Sequence, residues 1–164
     1  MTDSPPPSHN PTQALPDKIG VNIRPYAVEF LEKMSKKFEL IIFTAGRQDY
    51  ADKMINLLDP HNKYISHRLY RQHCSNFQGI NVKEFRLIAN RNKEDMIIID
   101  NYIYSFSNNL ENGIPVKPYL SGKDDCELEF IAEKLEGLED YMDCSEFLQR
   151  VFCLGEFYKF LRRM

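Results

Sequence analysis

The strongest apolar run of the chain, Met96 to Asn101 (MIIIDN), ends abruptly in Asp100 and Asn101. Consecutive β-branched residues between polar flanks are typical of a strand that is buried on both faces. A second run, Glu39 to Phe43 (ELIIF), ends in the same way, in Thr44-Ala45-Gly46. Ligands of open α/β sheets bind at the carboxyl ends of the strands. The two runs therefore predict a site at one sheet edge, although Asp and Asn there also suit a cap or turn.

The spacing of the remaining apolar residues predicts alternating helices and strands. Helices are predicted from Pro25, over Gln48 to Leu58, over Cys126 to Leu135, and over Ser145 to Leu161 with Ser145 as N-cap. Period-two alternation predicts short strands at Ile19 to Ile23, Tyr64 to Cys74 and Ile114 to Val116. Strands that alternate with helices in this order indicate a parallel α/β sheet.

Composition indicates a single domain preceded by a tail. The chain has 164 residues, of which 27% are charged and 43% apolar, as in ordinary soluble globular proteins. Residues 1–18 contain five prolines and few apolar residues, so we expect a disordered or extended tail before a domain at 19–164.

The net charge and the cysteine pattern limit the binding partners and the cell compartment that we expect. A net charge of −3 disfavours binding to duplex nucleic acid. The four cysteines show neither CxxC pairs nor a zinc spacing, so reduced thiols are the simplest interpretation. Because there is no apolar run of membrane-spanning length and no secretory signal core, we expect an intracellular protein, nuclear or cytoplasmic.

Polar residues after the two central strands are candidates for phosphate and metal chemistry. Thr44 supplies a hydroxyl and Gly46 lets backbone N–H groups approach an anion, although an N-cap role for Thr44 is equally compatible. Asp100 and Asn101 supply hard oxygen ligands of the kind that Mg²⁺ accepts.

Basic residues offer weaker signals. Lys83 lies in a predicted polar loop, where most lysines are simply solvated. Arg68 and Arg71 form a basic pair that suits a phosphorylated partner, although a solvated strand face is the commoner explanation.

Taken in order, these segments resemble the small RNA polymerase II C-terminal-domain phosphatases, the NLI-interacting-factor-like branch of the haloacid dehalogenase superfamily. The resemblance runs from about Ile19 to Leu138. Its segments are IRPYAVEFLEKMSKKFELIIFTAG, DYADKMINLLDP, HRLYRQHC, GINVKEF, MIIIDN and NGIPVKPY.

The resemblance implies a Rossmann-like parallel sheet and magnesium-dependent hydrolysis of phosphoserine or phosphothreonine through an aspartyl-phosphate. Under it, Thr44 binds the transferring phosphoryl group and Lys83 neutralises its charge. Asn101 ligates the metal, and Asp100 acts on it through a bound water or through the lysine.

The resemblance also implies a phosphorylated protein or peptide as the partner. Tyr50 and Arg71 match positions that contact the substrate peptide in relatives. From its position in the predicted helix, we expect Tyr50 to be partly in the core and partly at the rim of the site.

One part of the family pattern is missing. The first motif is a strand that ends in Asp-x-Asp-x-Thr and supplies the nucleophile. Before Ile19 the chain has only Asp3 and Asp17 as carboxylates, and neither follows an apolar run. Without a carboxylate acceptor the covalent step cannot occur, so the chain as written is expected to be inactive and its sheet incomplete. A truncated phosphatase, a degenerate relative that only binds, and a strand supplied by another polypeptide are the alternatives.

Overall fold

In a computed structural model, the structure describes residues 21–141, 143–161 and 163. The predicted tail at 1–18, with Asp3 and Asp17, lies outside the described residues. The helices are α1 (Ala27–Met34), α2 (Gln48–Leu58), α3 (Glu127–Leu135), α4 (Cys144–Val151) and α5 (Leu154–Leu161). The strands are β1 (Leu40–Phe43), β2 (Ile65–Leu69), β3 (Ser75–Phe77), β4 (Ile80–Val82), β5 (Ile98–Asp100) and β6 (Gly113–Pro115). Short 3-10 segments cover Arg71–His73, Phe85–Leu87, Lys93–Asp95, Ile103–Asn112 and Glu136–Asp140.

The architecture is α/β with an incomplete sheet. β1 pairs in parallel with β2, and β5 pairs in parallel with β6, while β3 and β4 form an antiparallel hairpin. Within the described part of the chain, no strand joins β1 to β5. Each parallel pair therefore keeps an edge that carries backbone donors and acceptors without strand partners.

The open edges explain why one prediction about the central strands is wrong. β1 and β5 were expected to be buried on both faces, but most of their residues are only half-buried. A strand that lacks a neighbour on one side is covered less completely by the flanking helices and loops. Asp100, at the end of β5, is the buried exception.

The largest core cluster joins helices from both ends of the chain to β6. Met34 of α1 packs with Ile114 of β6 and with residues of α3 and α4. Its fully buried members are Met34, Ile114, Ile131, Ala132, Leu135, Phe147 and Leu148. A second cluster packs α1 and α2 on β2, through Leu31, Ala51, Ile55, Ile65 and Tyr70. The C-terminal Ser145–Leu161 region is thus part of the core, as its apolar pattern predicted.

Helix α2 has the predicted bounds but a narrower buried face. Ala51 and Ile55 are buried, one turn apart, whereas Tyr50 and Leu57 are exposed. The prediction that Tyr50 lies partly in the core is therefore wrong. The neighbouring elements cover only the stripe that residues four apart share on a helix.

Asp59 fixes the connection from α2 to β2. Its carboxylate is buried and accepts hydrogen bonds from the backbone N–H groups of Lys63 (2.7 Å), Tyr64 (2.9 Å) and Ile65 (2.9 Å). Burial alone raises the pKa of Asp59, but these three N–H groups and the charge of Arg68 outweigh it and hold the pKa below its ordinary value.

The predicted C-terminal helix is divided into α4 and α5. The chain turns at Phe152 and Cys153, and Cys153 has a left-handed φ of 54°, which a continuous helix does not allow. The N-cap of α4 is Asp143, whose side chain accepts from the N–H of Ser145 at 2.6 Å. Ser145 is therefore inside the helix and the predicted cap is wrong by two residues.

Helix α5 is attached to the β5–β6 pair. The buried hydroxyl of Tyr158 donates a hydrogen bond to the carbonyl of Gly113, the first residue of β6. Burial raises the pKa of Tyr158, so the hydroxyl stays protonated and remains a donor. Tyr158 packs with Phe106 and Leu110 from the Ile103–Asn112 segment.

Two predicted strands are wrong in part. Val21 to Ile23 is irregular and exposed, and the rest of the predicted Ile19 to Ile23 strand lies outside the described residues. The Tyr64 to Cys74 segment forms a strand only at β2 and then turns into the 3-10 segment Arg71–His73. No helix in the described part of the chain is long and apolar enough to cross a lipid bilayer.

Candidate active site

The loop after β1 is shaped by its own hydroxyl. The N–H of Thr44 donates to the carbonyl of Leu69 at 2.9 Å, which continues the β1–β2 pairing. The hydroxyl oxygen of Thr44 accepts from the N–H of Gly46 at 3.0 Å. A β-carbon at Gly46 would lie 3.2 Å from that oxygen, so glycine suits the tight turn. The N-cap position of α2 is Arg47, so Thr44 does not cap this helix.

Arg71 holds this loop from the neighbouring segment. Its Nε donates to the carbonyl of Ala45 at 2.7 Å, and its backbone N–H donates to the carbonyl of Gly46 at 3.1 Å. The 3-10 turn presents both donors to the loop because it reverses the chain directly after β2. Thr44 to Gly46 and Arg71 therefore form one unit.

Lys83 and Asp100 form a buried ion pair at the ends of β4 and β5. Lys83 is 9% exposed and Asp100 is 8% exposed, and Lys83 Nζ contacts Asp100 Oδ2. The second carboxylate oxygen of Asp100 accepts from the N–H of Tyr102 at 2.7 Å. Asp100 thus acts as a turn acceptor and as the partner of a lysine at the same time.

The position of Lys83 differs from the prediction of a polar loop. The β3–β4 hairpin packs on the Ile103–Asn112 segment, and the N–H of Lys83 donates to the carbonyl of Ser105 at 2.6 Å. Its own carbonyl accepts from the side-chain amide of Asn109 at 3.3 Å. The hairpin was not predicted because its two strands have only three residues each.

Cys74 lies within electrostatic range of both halves of the site. Burial raises the pKa of its thiol, Lys83 and Arg71 lower the pKa, and Asp100 raises it. The chain path agrees with this, because Cys74 directly follows the 3-10 turn of Arg71, and the next residue, Ser75, pairs with Val82, which precedes Lys83. Cys74 was missed as a site residue because an unpaired cysteine carries no spacing signal.

The described residues do not by themselves form a magnesium site. Asn101 is exposed and its amide oxygen can reach a metal, but both carboxylate oxygens of Asp100 already have partners. No group of three or more His, Cys, Asp or Glu suited to a metal occurs among the residues that the structure describes. Mg²⁺ normally takes one or two carboxylates with waters and substrate phosphate oxygens.

A polar cleft of about 720 Å³ lies where α2 meets the 3-10 turn. Gln48 and Gln72 are joined across it by a hydrogen bond of 3.1 Å. The cleft is lined by Arg47, Gln48, Asp49, Asp52, Arg71 and Gln72. Tyr50 is exposed on the same helix but is not among the residues that line the cleft.

Comparison with known proteins assigns the family. The family model described as "NLI interacting factor-like phosphatase" matches residues 3–145, a range that includes every candidate site residue. The chain belongs to this family. The predicted resemblance to the C-terminal-domain phosphatases is thereby confirmed.

Phosphatase-like proteins of other organisms are similar over most of the chain. "CTD small phosphatase-like protein 3" of Caenorhabditis elegans is 35% identical over 149 residues, which cover 90% of this chain and 52% of that protein. "CTD small phosphatase-like protein 2" of Dictyostelium discoideum is 38% identical over 131 residues, covering 80% of this chain and 23% of that protein. The chain therefore spans about half or less of the length of these two relatives.

The fold of this family member is similar to that of a solved phosphatase. A structure described as "Fcp1, an essential RNA polymerase II CTD phosphatase" superposes with a TM-score of 0.53 and 21% identity. The superposition covers 87% of this chain and 36% of the other. The α/β fold predicted from the sequence is thus confirmed.

Proposed function

We propose that this chain carries the phosphate-recognition part of a protein serine/threonine phosphatase site. Its ligand is a phosphorylated protein tail or peptide. The observation that supports this best is the buried Lys83–Asp100 pair, whose lysine ends the hairpin that follows the turn of Arg71. A lysine held in one position at the end of a strand suits a phosphoryl group.

The proposed binding mode uses three kinds of donor. The hydroxyl of Thr44 and the N–H groups at the start of α2 bind phosphoryl oxygens, and the helix dipole favours the anion there. Lys83 neutralises phosphoryl charge while Asp100 keeps its ammonium group in position. Arg71, which is exposed, binds the peptide beside the phosphate. Electrostatic positioning of this kind supplies most of the catalysis in phosphoryl transfer.

We also propose that this chain binds the phosphorylated ligand without hydrolysing it. Asp100 is not available as a nucleophile because Lys83 and the N–H of Tyr102 engage its two oxygens. The covalent aspartyl-phosphate route of the family needs a free carboxylate at the phosphorus atom. This chain therefore contributes recognition to the family reaction, and a nucleophilic strand would be needed for hydrolysis.

Magnesium and cell location belong to the same proposal. Because Asn101 is the one side-chain oxygen ligand at this edge without a partner among the described residues, we expect Mg²⁺ to change peptide affinity little. In the family reaction Asn101 would be one ligand of Mg²⁺. The four cysteines are all free thiols, which favours a reducing nuclear or cytoplasmic compartment.

Calorimetric titration with a phosphoserine peptide and its unphosphorylated form tests recognition. We expect binding of the phosphorylated form only, and about tenfold weaker binding for Thr44→Val, which keeps the side-chain shape but removes the hydroxyl. Lys159→Ala, which removes a lysine from an exposed pair on α5, is the control. Equal affinity for the two peptides would contradict phosphate recognition.

Phosphate release in the presence of Mg²⁺ tests the absence of turnover. We expect no release above background. The alternative function is an active phosphatase, which the buried Lys83–Asp100 pair also suits. Release that Asp100→Asn and Lys83→Ala abolish would establish the enzyme and contradict the binding-only proposal.

A further inference from the structure

Two tyrosines stand exposed directly after Asp100. Tyr102 is 49% exposed and Tyr104 is 60% exposed, and their ring centroids are 5.5 Å apart with the planes tilted by 58°. Tyrosine rings are usually buried to a large extent, so adjacent exposed rings leave considerable apolar area in water. Exposed aromatic area beside a candidate site makes this pair a candidate contact for a ligand.

The backbone fixes this tyrosine pair relative to the ion pair. The N–H of Tyr102 donates to Asp100, and the carbonyl of Tyr102 accepts from the N–H of Ser105 at 2.8 Å. The carbonyl of Ser105 in turn accepts from the N–H of Lys83. Tyr104 lies inside this turn. The backbone that carries both rings is therefore fixed at the rim of the Lys83–Asp100 pair.

The rings need little ordering before they bind a ligand. Tyrosine has only two side-chain torsions, and each of these rings already packs against the other. The binding of a third group to them costs little conformational entropy. The polar cleft between α2 and the 3-10 turn differs, because charged and amide side chains line it.

We propose that Tyr102 and Tyr104 form a specificity site that binds an aliphatic side chain of the ligand, one or two residues from the phosphorylated residue. This inference rests on the proposed function. Successive Cα atoms lie about 3.8 Å apart, so a peptide with its phosphate at Lys83 carries its neighbouring residues across this rim. An aliphatic side chain is the favoured occupant because the two exposed rings pack against each other and offer adjacent apolar surface that such a side chain can cover.

A peptide series tests the proposal. Each phosphoserine peptide carries leucine, serine or lysine at one of the two positions on either side of the phosphoserine. At one position at least, we expect leucine to bind about 5- to 20-fold more tightly than serine, since part of one aliphatic side chain leaves water. The preference should fall below about twofold in Tyr102→Ala and Tyr104→Ala and persist in Tyr102→Phe and Tyr104→Phe.

Phe160→Ala is the matched control, because Phe160 is also 60% exposed but lies on α5. It should keep the leucine preference. Phosphopeptide binding that depends on Thr44 but shows no leucine preference would overturn this inference alone. A preference for lysine would overturn it as well. Failure of every phosphopeptide to bind would overturn both this inference and the proposed function.

Discussion

Lys83 and Asp100 lie 17 residues apart in the chain and form an ion pair that is almost completely removed from water. Taking two charges out of water is costly, and their attraction offsets that cost only while both are present. The pair therefore contributes little net stability as a unit, but the loss of either partner leaves a buried charge alone. Because separating the two charges is costly, the pair suits a site whose lysine must remain in one position.

Lys83→Ala should lower the free energy of unfolding by about 3–5 kcal/mol because Asp100 keeps an unpaired buried charge. Urea denaturation followed by circular dichroism measures it. Lys83→Met combined with Asp100→Leu should recover most of the loss, since it removes both charges and keeps volume. Lys159→Ala, from an exposed pair, should change little. A double variant as unstable as the single one would show that the pair is not the cause.

Asp59→Asn should destabilise the protein in a pH-dependent way. At about pH 7 we expect a loss of about 1–3 kcal/mol, because a side-chain amide replaces an acceptor that three N–H groups share. The folded-state pKa of Asp59 is depressed, so its stabilisation is complete above the unfolded-state value near 4 and is lost as pH falls through the folded-state value. Urea denaturation at about pH 7 and about pH 3 should show the difference from wild type shrinking in acid. Asp124→Asn, at an exposed position, is the control.

Gly113→Ala should destabilise the β5–β6 pair, because a β-carbon there would overlap the ring of the fully buried Phe106. We expect a cost of about 1–3 kcal/mol, as for other cases of overpacking, measured as a decrease in Tm. Gly137→Ala is the control, since its β-carbon would meet Phe147 at an ordinary 3.9 Å. Equal Tm values for the two variants would contradict the described packing around Gly113.

Arg71→Ala should weaken phosphopeptide binding about tenfold, because it removes a charged donor that also positions the carbonyl of Ala45. The Tm should change little, because the side chain is exposed and the backbone N–H of residue 71 still holds Gly46. Arg47→Ala is the matched control, since Arg47 lines the same cleft but is paired with Asp49. Calorimetric titration measures both variants. If the two variants lost affinity equally, the cleft as a whole and not Arg71 would carry the interaction.

The alkylation rates of the four cysteines should show how accessible each thiol is and whether a ligand lies beside Cys74. Iodoacetamide at about pH 8 should modify the exposed Cys126 and Cys153 first, Cys74 more slowly and Cys144 last, as measured by mass spectrometry. Burial, with Asp95 and Asp143 nearby, raises the pKa of Cys144 to about 11, and burial also raises the pKa of Cys74. A saturating phosphopeptide should slow the reaction of Cys74 only. Unchanged Cys74 kinetics would argue against a ligand beside it.

Much of the fold could be predicted from the sequence where the apolar pattern and the packing agree. β1, β5 and α2 follow from strong local patterns, and α2 has the predicted bounds. The break between α4 and α5 was missed because Cys153, which is not a glycine, takes the positive φ, while the neighbouring Gly155 lies inside α5. The half-buried state of β1 also depends on a neighbouring strand, which its own residues do not encode.

The candidate site could be predicted only in part, because contacts between distant segments are not encoded in the local sequence. The ends of the two apolar strands predicted Thr44, Asp100 and Asn101. The family resemblance gave the roles of these residues and of Lys83, Tyr50 and Arg71, and those roles remain predictions. The structure brings Lys83 to Asp100 and Arg71 to the loop of Thr44, but Tyr50 is not among the residues that line the polar cleft. The pairing of Tyr102 with Tyr104 could not be foreseen, because ring contact two residues apart depends on the turn between them.

The hydrogen bond from Tyr158 to Gly113 determines where this protein can be truncated for experiments. The family match ends at residue 145, but Tyr158 supports the first residue of the strand whose last residue, Pro115, pairs with Asp100. An expression clone that stops at the family boundary would lose nearly all of α4, all of α5 and part of the support behind Asp100. Weak binding by such a fragment would reflect the missing helices, so deletion mapping should retain the chain through α5.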